Sequence, residues 1–119
     1  MKKAAEIGVP QCIAIVDTGG HLLAFARMDG AKFHAQRSAT QKAITAASTR
    51  GATGAAPQDF GVNLSLATGG MTTNLKGGLP ILRDGQLVGA VGIGSGTGEQ
   101  DVEVAQAGIA ALEKALAAN

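Results

Sequence analysis

Two stretches of this 119-residue chain share one layout: IAIVDTGGHLLAF at 13–25 and LPILRDGQLVGAV at 79–91. Each is an apolar run, a turn containing glycine, and a second apolar run. Asp84-Gly85 is the two-residue turn that a tight hairpin prefers, and Asp17-Thr18-Gly19-Gly20 is a longer turn of the same chemistry. Both stretches read as β-hairpins. A hairpin sets consecutive strands antiparallel, whereas a dinucleotide-binding sheet needs a helix between successive parallel strands. The chain is therefore expected to build an antiparallel sheet.

Strands are expected at Cys12–Val16, His21–Met28, Leu79–Arg83 and Leu87–Gly94, with a short fifth, edge strand at Thr72–Leu75. Between and around them lie helical patterns. Lys2–Gly8 reads as a short helix stopped by Gly8 and Pro10. Phe33–Arg50 has no Gly or Pro, and its narrow apolar stripe runs through Ala39, Ala43, Ile44, Ala46 and Ala47. Pro57–Ala67 reads as a further short helix. In Asp101–Ala118, Val102, Ala105, Ile109, Leu112 and Leu116 recur at spacings of three and four. This order gives an α+β chain, a five-stranded antiparallel sheet covered by helices, in a single domain over 1–119.

The side chains available for the core are small. There is no Trp or Tyr, only three Phe, and 18 Gly. Layers built from Ala, Gly and Val must approach closely. Net charge is +1, which lacks the basic excess expected of a nucleic-acid partner. No apolar run reaches the roughly 20 residues of a membrane helix, and no leader-like segment opens the chain. Cys12 is the one cysteine, in an apolar run, where a buried inert thiol is expected. A cytoplasmic protein without membrane partners is expected. His21 and His34 form no ligand spacing with each other or with Cys12, so no structural metal is expected.

GIGSGTGEQDVEVA at 92–105 places glycine at every second position before a helix start. It matches neither G-x-G-x-x-G nor the P-loop spacing. Glu99 and Asp101 already occupy the positive end of the helix, where a phosphate would meet like charge. The stretch reads as a strand-to-helix corner at which Ser95, Glu99 or Asp101 could meet a polar ligand. Lys42 lies among small residues; if that face packs on the sheet, its ammonium must be paired or reach a pocket. Arg27, near a strand end, is placed to clamp a carboxylate or to be solvated. His34 opens a helix beside Arg37 and His21 leaves a turn; each is a surface residue or a ligand donor. No nucleophile motif surrounds Ser95, and no catalytic residue is assigned.

The segments IAIVDTGGHLLAFARMDGA, QKAITAAS and KGGLPILRDGQLVGAVGIGSGTGEQDVEVAQAGIAAL, in order over nearly the whole chain, resemble the GlcG/HbpS haem-binding family. The same module forms the C-terminal domain of PduO-type corrinoid adenosyltransferases. The resemblance implies a profilin-like sheet with helices on both faces, self-association, and haem or a related tetrapyrrole as ligand and cofactor. It also implies a place beside catabolic operons. Two departures stand out. The last strand ends Gly92-Ile93-Gly94-Ser95-Gly96 where the family runs closer to G-V-S-G-G, and the first helix is shorter, which is expected to leave a sheet face or subunit interface uncovered. The ligand-binding candidates are His34, Arg27, Lys42, Ser95, Glu99 and Asp101, with His21 a second donor to haem iron. Two further functions fit the same residues: an enzyme or accessory factor acting on a small carboxylate, and a ligand-free assembly module.

Overall fold

The computed structural model describes residues 1–118. Its elements run α1 (Lys2–Glu6), β1 (Cys12–Val16), β2 (Leu22–Arg27), α2 (Ala35–Thr49), α3 (Gln58–Ala67), β3 (Gly78–Arg83), β4 (Gln86–Gly94) and α4 (Gly98–Ala117). The sheet order is β2-β1-β4-β3, with every neighbouring pair antiparallel. Both hairpins form as their turn residues dictate. Asp84 and Gly85 take φ values of 52° and 78°, the double positive φ of a two-residue hairpin turn. Joining the hairpins through β1 and β4 leaves β2 and β3 as the edges.

Strand alternation sorts the core into two layers. Cys12, Ala14 and Val16 of β1 face α2 and pack on Ala35, Ala39, Ala43 and Ala46. Ile13 and Ile15 point to the other face, toward Val91, Ile93, Val104 and Ala105 beneath α1 and α4. Helices therefore cover both faces. The α2 layer is thin because its partners on the sheet include glycines with no side chain. A Cβ on Gly92 would overlap the Ala39 carbonyl oxygen and stand 2.6 Å from the Ala43 nitrogen. Among the described residues, no helix is long and apolar enough to cross a membrane.

The sheet has four strands rather than the expected five. Residues 72–75 run without a strand partner, because side chains hold their backbone instead. Ser65 Oγ donates to Thr72 O (2.6 Å), Thr73 N donates to Thr45 Oγ1 (3.0 Å), and Thr53 Oγ1 donates to Leu75 O (2.6 Å). With those groups satisfied, a ladder is not needed. The last helix also starts earlier than its apolar stripe. Thr97 Oγ1 accepts from Gln100 N (3.2 Å) and Gln100 Oε1 accepts from Thr97 N (2.9 Å), a capping box that opens α4 at Gly98.

Candidate functional site

The end of β4 meets the first turns of α2 and α4, and a buried ion pair sits between them. Lys42 projects from α2 under the sheet and is 4% exposed; Asp101 on α4 is 2% exposed. Lys42 Nζ donates to Asp101 Oδ2 at 2.8 Å and to Ile93 O at 2.7 Å. Asp101 Oδ1 accepts from Gly96 N at 3.0 Å. Buried Gln11, with its amide nitrogen turned to the acceptors, donates to Asp101 Oδ1 at 3.0 Å and to Gly94 O. A buried carboxylate in this setting is satisfied from three directions, as burial of charge requires.

A cleft of about 190 Å³ opens beside this pair. Lys42, Asp101, Ser95 and Gly96 form its floor, and Lys32, His34, Ser38, Leu75, Lys76 and Gly98 its rim. Ser95 Oγ accepts from Lys32 N at 2.9 Å, which ties the loop before α2 to the end of β4. Ser95 has φ 93°, a left-handed conformation that serine rarely adopts. His34 stands at the start of α2 and is exposed, with its ring edge-to-face on Phe33 at 6.2 Å between centroids.

The structure therefore brings together four of the sequence candidates, His34, Lys42, Ser95 and Asp101. Glu99 points outward, 80% exposed, 3.6 Å from Lys76 Nζ. Arg27 lies on the edge strand β2, paired in register with Cys12, and does not line the cleft. Burial pushes the Cys12 thiol above its ordinary pKa, and the nearby Arg27 charge offsets part of that. His21 sits at the opposite end of β1. Its ring Nδ1 is 3.3 Å from Asp17 Oδ1, an oxygen that also accepts the backbone N–H groups of Gly19 and His21, each at 2.9 Å. The His21 amide above all holds the Asp17 carboxyl below the usual carboxylate range; desolvation opposes it and the Gly19 amide assists. Sequence reasoning missed Lys32, Ser38 and Lys76 at the rim and Gln11 beneath it. Lys76 opens the quoted segment KGGLPILRDGQ, but nothing in that segment marks it as a cleft residue, and the other three belong to no motif; their place beside the end of β4 joins them.

A second concavity lies on the other face of the sheet. It measures about 690 Å³ and is walled by Ile13, Ile15, Ile81, Val91 and Ile93 of the sheet and by Val104, Ile109 and Leu112 of α4. Lys2, Lys3 and Glu6 of the short α1 form its rim. On this face α1 and α4 leave part of the sheet uncovered. Neither histidine lines it. Among the described residues, no cluster of three His, Cys, Asp or Glu side chains could hold a metal ion.

Comparison with known proteins gives a consistent answer. A family described as "Haem degrading protein HbpS-like" matches residues 1–110. Protein GlcG of Escherichia coli (strain K12) is 43% identical over 82 residues, covering 68% of this chain and 61% of GlcG. The match thus spans less than two thirds of that relative's length. Among solved structures, a PduOC:haem complex superposes with a TM-score of 0.85 at 32% identity, covering 92% of this chain and 83% of that one. A double mutant of HbpS from Streptomyces reticuli gives 0.83 at 31% identity, covering 93% and 77%.

Proposed function

This chain belongs to the HbpS-like family, and on that premise we propose that it binds haem or a related tetrapyrrole, with His34 as the donor to iron. The observation that carries this is the TM-score of 0.85, at 32% identity, to a structure holding haem. A haem site needs an axial donor beside apolar surface. The large groove offers the apolar surface, but the one sulfur donor lining it is the Met1 thioether. Cys12 is fully buried, and His21 is tied to Asp17 at the far turn. His34 is exposed, stands edge-to-face with Phe33, 78% exposed, and lines the cleft together with Leu75, 56% exposed. An exposed imidazole with an aromatic ring against it supports this reading. When bound, haem supplies a Lewis-acidic, redox-active iron. The chain contributes an imidazole, an aromatic edge, and beneath them the rigid Lys42–Asp101 pair that fixes the corner.

Self-association is part of the same proposal. One chain leaves Phe33 and His34 on open surface, so a second copy is what would exclude water from a tetrapyrrole seated there. Arg27 and Glu99, which do not line the cleft, are assigned to that surrounding surface.

Titration with hemin tests the assignment. A saturable Soret shift with the spectrum of an iron–imidazole complex is expected for the wild type and for His21→Ala, and its loss for His34→Ala. An unchanged spectrum in His34→Ala would place the ligand elsewhere.

A further inference from the structure

We infer that the cleft under His34, about 190 Å³ in volume, is a binding site for a small carboxylate. The inference stands on charge and unused donors, independently of whether haem binds. Three lysines, Lys32, Lys42 and Lys76, line the cleft against one carboxylate, Asp101. An excess of two positive charges, counting these lysines against Asp101, faces the cleft, and that attracts an anion. Glu99 lies 3.6 Å from Lys76 Nζ on the solvent side, where an exposed pair is weak and leaves the ammonium available to a ligand.

The donors are placed for it. An ammonium carries three N–H groups, and Lys42 uses two, on Ile93 O and Asp101 Oδ2. Among the described residues, the third has no protein acceptor, on a side chain only 4% exposed in the cleft wall. Ser95 Oγ accepts from Lys32 N, which leaves the hydroxyl proton free to donate. Gly98 brings the first turn of α4 to the same cleft, where helix N–H groups lack intrahelical partners. Asp101 does not repel the ligand as a bare charge, because its oxygens are taken by Lys42, Gly96 and Gln11. The carboxylate could be a free small acid or an acid group carried by a larger ligand such as a tetrapyrrole; the recognition chemistry is the same.

The test uses the full chain, isotope-labelled, titrated with sodium acetate against sodium chloride at equal ionic strength. The amide resonances of Ser95, Gly96 and Gly98 should shift saturably with acetate alone. Lys76→Ala and Ser95→Gly should each weaken acetate binding by about tenfold, the loss of one hydrogen bond to a charged group. Ser95→Gly relieves the left-handed backbone but gives up the bond from Lys32 N, so its thermal unfolding is measured beside its affinity, and a loss of affinity in a variant that unfolds at the wild-type temperature assigns the hydroxyl to the ligand. Arg83→Ala, at the distant hairpin turn, should bind acetate normally. Equal shifts with chloride, or undiminished affinity in both cleft variants, would overturn the inference. Zinc protoporphyrin IX and its dimethyl ester distinguish the sources. Weaker binding of the ester together with competition by acetate assigns the carboxylate to the tetrapyrrole. Equal binding of acid and ester with saturable acetate assigns it to a free acid. A chain that takes acetate but no hemin would overturn the haem proposal alone.

Discussion

At the scale of single residues, the fixed point of the molecule is Lys42. Its pattern position on α2 forces its side chain toward the sheet, and at 4% exposure its charge must be neutralised there. Asp101 does so from 59 residues away in sequence. Removing one member strands the other. Lys42→Met leaves a carboxylate at 2% exposure with only amide donors, and should cost about 3–5 kcal/mol in urea-induced unfolding. The double variant Lys42→Met, Asp101→Leu should recover much of that loss, and strictly additive costs would show that the two side chains are not coupled. This part of the site was half legible in the sequence. The need for a partner followed from a lysine among alanines; the identity of the partner did not, because pairing across the sheet depends on how the helices dock. His34 was legible as a candidate, but Lys32, Ser38 and Lys76 carry no local signal and become neighbours only after folding.

At the scale of elements, the closest contact is α2 against β4. Gly92 and Gly94 face α2, and the helix lies so near that a methyl group at Gly92 would strike its backbone rather than a movable side chain. Gly92→Ala should therefore destabilise the chain by about 3 kcal/mol or more, since overpacking here must push a whole helix away. Thermal unfolding measures it; a cost below about 1 kcal/mol would mean that α2 yields easily. The hairpins were readable because turn residues and strand runs are local. Two features were not. The run at 72–75 has strand-like residues, yet hydroxyl groups of Thr45, Thr53 and Ser65 satisfy its backbone first. The start of α4 is set by Thr97 and Gln100, polar residues that an apolar stripe does not register, although their spacing is that of a capping box.

At the scale of the whole molecule, the sheet divides two different concavities. On the face toward α1 and α4 lies a large apolar groove without histidine; at the end of β4 lies a small cationic cleft under His34. The proposal of a tetrapyrrole rests on family membership and on the likeness to a haem-bearing structure, and the proposal of its seat rests on His34 lining the cleft and not the groove. The most direct measurement is amide line broadening by bound hemin, whose ferric iron is paramagnetic, against diamagnetic zinc protoporphyrin IX. Seating at His34 predicts broadening centred on residues 33–37 and 95–99, with the groove signals of Ile13, Ile81 and Ile109 preserved. Broadening centred on the groove signals, with those around His34 intact, would contradict it.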